Sequence, residues 1–283
     1  MKTRIILIVT SILALAACNK GADTAAPAAP PKETKLVLTG SSTIAPLMSE
    51  MAKRFEEKHP GVRIDVQSGG SQRGVNDAES GIANIGMASR ASKDEDPKDL
   101  VFTAVAQDGV TMIVHKDNPV KELTKEQIVD IYTGKVTSWK AVGGKDAPIT
   151  VVNKAEGRST LELFCNYYKL KNEQIKASVV IGENEQGIKT VAGNPNAIGY
   201  VSIGTAEYDS QHGVAIKLLP QDGVDASIEN VRLGKFGLSR PLNLVTKGEP
   251  AGLAKEFVDF TKAPEQLDIV KAQYFVPLAT PGT

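Results

Sequence analysis

Three times before Leu170 the chain reads as a short apolar run, then a loop of glycine with serine or threonine, then a stretch of helical spacing. That repeat constrains the fold more than any other feature. Strands alternating with helices imply an α/β sheet with crossover connections, whose loops gather beyond the carboxyl ends of the strands. The first unit is Lys35 to Thr39, the loop Gly40-Ser41-Ser42-Thr43, and a segment with Ile44, Leu47, Met48, Met51 and Phe55 on one face. Pro46 falls in that helix's first turn, where it is tolerated, and His59-Pro60-Gly61 stops it. The second unit runs from Val62, Ile64 and Val66 through Ser68-Gly69-Gly70-Ser71 into a helix toward Ser80. The third runs from Ile149–Val152 through the loop 153–160 into a helix from Leu161 to Leu170.

The intervening chain fits the same alternation. Ile82 to Ala88 is a third apolar run of the first part, ending at Ser89-Arg90 and a charged loop through Asp99. Val110 to His115 is strand-like, Asp117-Asn118-Pro119 a turn, and Leu123 to Tyr132 a helix capped by Thr124 and ended by Gly134. Ala197–Ile203, Ala215–Leu219 and Pro241–Thr246 read as strands, the last followed by a helix over Ala251–Phe260.

The N-terminus sets the expected compartment. Lys2 and Arg4 precede an apolar stretch, Ile5 to Ala17, too short for a membrane-spanning helix, and Leu15-Ala16-Ala17-Cys18 resembles the lipobox of bacterial lipoproteins. The expectation is a signal peptide over residues 1–17, diacylation at Cys18, and a periplasmic or cell-surface lipoprotein. An ordinary secretory signal that happens to contain a cysteine is the alternative. Residues 18–34, dominated by Ala, Pro and Thr, read as a flexible tether. Cys165 is then the one remaining cysteine; no intrachain disulfide is expected, and it reads as a small buried hydrophobe.

The 33 basic and 33 acidic residues balance, and removal of Lys2 and Arg4 leaves a net charge near minus two. No basic excess points to nucleic acid, so any preference for anions must be local. Its natural place is in the loops. Glycine with serine or threonine just before a helix offers hydroxyls and unpaired backbone N–H groups together, at the end of the helix that favours negative charge. Ser42 and Thr43, Ser71, and Ser159 and Thr160 would supply those donors. Each alone could be a mere N-cap; three such loops with arginines nearby suit a tetrahedral oxyanion. Arg90 and Arg158 are the candidate charge partners, through the guanidinium's planar fork of donors, with Arg73 a weaker third.

The runs GSSTIAPLMSEMAKRFEEKHPGV, SGGSQRGV, ANIGMASR, DGVTMIVHKDNPV, LTKEQIVDIYTGKVTSW, EGRSTLELF, AIGYVSIG and LSRPLNLVTKGEPAG resemble, in order and over nearly the whole chain after the tether, the phosphate-binding proteins of ABC importers, the PstS family. The resemblance implies the type II periplasmic-binding-protein fold: two α/β lobes, two crossing segments as a hinge, and an anion enclosed between the lobes. It places lobe one at residues 35–110 and 241–283 and lobe two at 111–240. It implies phosphate as ligand, an importer permease as partner, no cofactor, and a monomer. Ser42 and Thr43 match the family's first phosphate loop, Ser71 the second, Ser89-Arg90 the third and Gly157-Arg158-Ser159-Thr160 the fourth. Two positions depart from that pattern: phosphate-specific members have aspartate where Arg90 stands and serine where Arg158 stands. Lys154 or Arg158 would do the work of the basic residue usually found shortly before the fourth loop. The departures leave another oxyanion such as sulfate open, with Glu156 and Asp108 the acids that could replace the missing aspartate.

Because some relatives are described as phosphatases, an enzyme is the competing class. His59, His115 and His212 stand in unrelated contexts with no ligand spacing, so catalysis and a metal are not expected. A surface protein that has kept the fold without the ligand is a third reading, which the intact donor loops disfavour. Trp139, the single tryptophan, reads as a packing anchor.

Overall fold

A computed structural model describes residues 34–278; the signal segment, Cys18 and the tether up to residue 33 lie outside the described residues. The chain opens with β1 (Lys35–Gly40), α1 (Ala45–Lys58), β2 (Arg63–Ser68), α2 (Ser71–Ser80) and β3 (Ile85–Ala88). It continues through β4 (Leu100–His115), α3 (Lys125–Tyr132), β5 (Thr150–Lys154), α4 (Ser159–Tyr168), β6 (Val179–Ile181) and α5 (Asn184–Ala192). It closes with β7 (Ala197–Ser202), α6 (Ile203–Gln211), β8 (Ile216–Leu218), α7 (Ile228–Arg232), β9 (Ser239–Lys247), α8 (Gly252–Lys262), α9 (Leu267–Ala272) and β10 (Val276–Pro277).

The helical spacing read in the sequence buries what it should. On α1, Leu47, Met48, Met51 and Phe55 all face inward, each side chain stabilising the fold by about 1.5–3 kcal/mol. α3 starts on a reciprocal cap, Thr124 accepting from the Gln127 N–H while the Gln127 side chain accepts from the Thr124 N–H.

The strands run in the order β2-β1-β3-β9-β4-β7-β5-β6, with β8 and β10 also paired to β4. β1 is parallel to β2 and β3, and β5 is parallel to β6 and β7, so each end of the sheet is a parallel βα array. The two arrays meet at β4 and β9, which are antiparallel to each other and to their neighbours. Up to Gly109, β4 pairs with β9; from Val110 it pairs with β7. Two buried cores flank that change of partner. One contains Leu36, Leu47, Phe55, Ala106, Leu242 and Phe257; the other contains Val110, Tyr132, Trp139, Phe164, Tyr200 and Leu238. The α/β architecture therefore has two lobes joined by β4 and β9.

Several boundaries differ from the sequence reading, four of them with a physical reason or a consequence for the site. Ile82 is 68% exposed in the turn after Gly81, and β3 starts only at Ile85. β4 begins at Leu100, well before Val110, and the bulge between Ala104 and Ala106 shifts the phase that would have marked it as a strand. The 197–203 strand ends at Ser202, whose side chain caps α6. α4 starts at Ser159 rather than Leu161, putting both Ser159 and Thr160 in its first turn. Trp139 is an anchor: it is buried and its Nε1–H donates to the Asn196 carbonyl at 2.9 Å. Cys165 is half-buried against the second core, which pushes its thiol's pKa up and away from the reactive thiolate.

Candidate functional site

At the carboxyl end of β1 the chain turns at Gly40, φ +130°, where a Cβ would lie 2.3 Å from the Met87 carbonyl oxygen. Only glycine lets β1 and β3 approach so closely there. Ser41 follows, and its Oγ accepts from the Thr43 and Ile44 N–H groups while its hydroxyl donates to Ser89 Oγ at 3.0 Å. Ser71, the first residue of α2, donates to Ser159 Oγ at 2.9 Å and accepts from the Ser89 N–H at 3.1 Å. Ser89 and Ser159 are themselves 2.8 Å apart. Hydroxyls from the loops after β1, β2, β3 and β5 thus converge on one buried spot, three from the first lobe and one from the second.

Around them lies a second layer of donors. Arg240, at the start of β9, reaches Thr43 Oγ1 with Nη2 at 3.0 Å and Thr160 Oγ1 with Nη1 at 2.9 Å. Asp108 holds that guanidinium, and its other oxygen accepts from the Ser202 hydroxyl and the Gly204 N–H. Asn184, first residue of α5, donates to Thr43 Oγ1 at 3.0 Å and accepts from Lys154 Nζ at 2.8 Å. Burial, then the neighbouring Arg240, lowers the pKa of the Lys154 ammonium to about 7. The backbone joins the lobes as well, the Gln72 N–H donating to the Gly157 carbonyl at 3.1 Å. A cavity of about 270 Å³ opens beside the cluster, with Ser89, Arg90, Ser159 and Arg240 among its walls.

Of the residues expected from sequence, Thr43, Ser71, Ser89, Ser159 and Thr160 come together here, and Gly157 brings its carbonyl. Ser42 does not: it sits half-buried in the turn before α1 and takes no part in the hydroxyl cluster. Arg90 departs further from expectation. Both its terminal nitrogens clasp Asp96, at 2.7 and 2.8 Å, and its guanidinium lies over the Phe102 ring. The pairing holds the Asp96 carboxyl below the usual range. Its side chain closes its own loop, although its unpartnered Nε remains buried at the cavity. Arg158, the N-cap residue of α4, sends its side chain across Gly70 to Glu183, Nη1 to Oε1 2.7 Å, rather than toward the hydroxyls. Glu156 accepts from Asn172 outside the cluster, whereas Asp108 is buried behind Arg240. Ser41, Asn184 and Arg240 went unrecognised in the sequence. Ser41 stood beside the two residues chosen from its loop; Arg240 lies inside the run LSRPLNLVTKGEPAG, but with no helix start beside it nothing in that run marked it as reaching the donor loops.

The arrangement is a set of neutral and cationic donors converging from two lobes, suited to holding an anion with many acceptor lone pairs. Residues 25–265 match the family described as PBP superfamily domain. The phosphate-binding protein PstS of Bacillus subtilis is 33% identical over 247 residues, covering 86% of this chain and 80% of its own length. A phosphate ABC transporter substrate-binding protein of Clostridium perfringens, solved with bound phosphate, superposes with a TM-score of 0.80 at 36% identity, covering 87% of this chain and all of its own. The phosphate transport receptor of Vibrio cholerae gives a TM-score of 0.70 at 27% identity, over 86% of this chain. Two lobes, two crossing strands and matches of this extent make the fold that of type II periplasmic binding proteins, and this chain belongs to the PstS family of the PBP superfamily.

Proposed function

We propose that this protein captures inorganic phosphate between its lobes and delivers it to an ABC importer. The observation that carries the reading is the meeting of four serine hydroxyls, two of them at the starts of α2 and α4, with the Arg240 guanidinium reaching Thr43 and Thr160 beside them. The proposed ligand contacts are Ser41, Thr43, Ser71, Ser89, Ser159 and Thr160, with Arg240 and Lys154 supplying charge. The hydroxyls satisfy one another; an anion held among them replaces those neutral bonds with charge-assisted ones, each contributing about 1.5–3 kcal/mol. Gly157 and Arg158 act at the closure of the lobes, and Arg90 positions the Ser89 loop. Binding near the micromolar level would correspond to about −8 kcal/mol. Membership of a family of binding proteins carries the non-enzymatic reading. Calorimetry with phosphate tests it: saturable binding that Ser89→Ala or Ser159→Ala weakens about ten- to hundredfold is expected, and a protein that takes up no phosphate overturns it.

The lobes would comprise residues 35–110 with 241–283, and 111–240, a division that the two buried cores support except at Val110 and Val276, which pack in the second core. Ligand favours the closed arrangement because only there do donors from both lobes reach it, which is what a population shift requires. We place the protein outside the cytoplasm as a monomer, anchored through a diacylated Cys18. The support is the basic, then apolar, then Leu15-Ala16-Ala17-Cys18 order of the first residues. Cys18→Ser should leave an unprocessed or soluble protein; unchanged processing and detergent partitioning would remove the anchor from the reading.

A further inference from the structure

The ionic groups around the site pair off and leave one over. Arg240 is matched by Asp108, Arg158 by Glu183 and, one loop away, Arg90 by Asp96. Among the described residues Lys154 reaches no carboxylate. Its Nζ meets the uncharged Asn184 Oδ1 at 2.8 Å, and the residue is only 2% exposed. A protonated Lys154 therefore leaves the enclosed cluster with one positive charge in excess, and an unprotonated one leaves it neutral.

We propose that Lys154 matches the charge of the site to its ligand, taking a proton from solvent onto Nζ as an oxyanion enters and returning it as the oxyanion leaves. The proposal rests on the oxyanion reading above and adds a proton to it. The lysine is faced by Arg240 from β9, by Arg158 at the start of α4, and by Glu183 and Asn184 from the start of α5. From β7 the Tyr200 hydroxyl accepts from the Lys154 backbone N–H at 3.4 Å. Asp108 of β4 lies beyond Arg240 and is already committed to it. Burial first and then Arg240 disfavour the ammonium, Glu183 favours it, Arg158 opposes it more weakly, and its pKa falls to about 7. An anion arriving within the same enclosure reverses that balance, because a nearby negative charge favours the protonated form. Lysine permits the exchange where arginine would not, since a guanidinium keeps its charge in proteins.

The test compares the parent full chain with Lys154→Arg by calorimetric titration of inorganic phosphate between about pH 8 and pH 9.5. Phosphate is dianionic throughout that range, so its own protonation drops out. The parent's affinity should fall with pH about tenfold per unit more steeply than the variant's, the signature of one extra bound proton. Parallel slopes overturn the proposal. Nuclear magnetic resonance of the parent carrying ε-13C lysine gives a reading that needs no variant. The Lys154 signal should titrate near neutrality without phosphate and move above about pH 10 with saturating phosphate; a signal that stays charged through pH 9 without ligand also overturns it. Absence of phosphate binding by the parent at about pH 6 would overturn the oxyanion reading and this one with it, whereas binding with parallel slopes overturns only this one.

Discussion

Arg240 and Asp108 stand directly opposite each other on β9 and β4, and their side chains close an ion pair, Nη2 to Oδ2 2.9 Å and Nε to Oδ2 3.2 Å, that is all but sealed from solvent. The pair sits where the strands pass from one lobe to the other, so it fixes the ligand's proposed cation to the hinge. Asp108→Ala should destabilise the protein by about 3–5 kcal/mol, because it leaves a buried guanidinium with no counter-charge. Urea unfolding measures this; a loss below about 1 kcal/mol would mean that water or another acid reaches Arg240.

The proposed closure of the lobes would depend on a glycine. Gly70 has φ +99° and ψ 153°, and a Cβ there would lie 2.9 Å from the Gly157 carbonyl oxygen and 2.8 Å from Arg158 Cδ. Such backbone is essentially restricted to glycine and costs another residue about 1–3 kcal/mol. Gly70→Ala should therefore weaken phosphate binding about tenfold or more by depopulating the closed form. Undiminished affinity by calorimetry would show that the Gly70–Arg158 contact is not part of the binding form.

Arg158 and Glu183 form a half-buried pair behind that contact, at 2.7 Å. As a latch reaching across Gly70, Arg158 should cost about 1.5–3 kcal/mol of binding free energy when replaced by alanine. Glu183→Gln should weaken binding in the same direction. An arginine that touched the anion itself would instead be freed by Glu183→Gln, and affinity would rise.

Selectivity follows from which carboxylates are free. At neutral pH phosphate keeps at least one proton and sulfate none, so a free buried acceptor would favour the first and repel the second. Asp108 gives Oδ2 to Arg240 and Oδ1 to Ser202 and Gly204, Asp96 is held by Arg90, and Glu156 lies outside the cluster. Phosphate should remain preferred, yet excess sulfate should measurably lower its apparent affinity. Complete indifference to sulfate in competition calorimetry would show that some acceptor still reads the phosphate proton.

Asp209 makes an acid-side contribution to stability. Burial, followed by the Glu185 charge, raises the pKa of its carboxyl to about 6, and its buried Oδ2 has no donor among the described residues. Between about pH 4 and about pH 6 the folded protein keeps a proton that the unfolded chain has released, so this stabilisation drains away as pH rises through that window. Asp209→Asn should match the parent near pH 4 and be the more stable above pH 6, as read by thermal unfolding. A constant difference across the range would exclude titration as the cause.

The sequence by itself determined the α/β class, most helices and three of the four serine loops, because those signals are local. Helical spacing places Leu47, Met51 and Phe55 on one face whatever α1 packs against, and a glycine-serine turn before a helix exposes donors wherever the helix ends. It left the destinations of the arginines undecided. Arg90 and Arg158 lay beside the donor loops and were read as ligand groups, yet each found a carboxylate, Asp96 or Glu183, that only the folded loops bring within reach. Arg240 stood in a recognised run without a role, and became central through sheet register, which sets it opposite Asp108 across strands more than a hundred residues apart in the chain. The same holds for Lys154: its place in the chain announced a cation, but whether a carboxylate would meet it was settled where the end of β5 meets the start of α5, which offered an amide instead. Charge pairing over such separations is a property of the tertiary structure, since an ion pair depends on distance in space and the sequence specifies only distance along the chain.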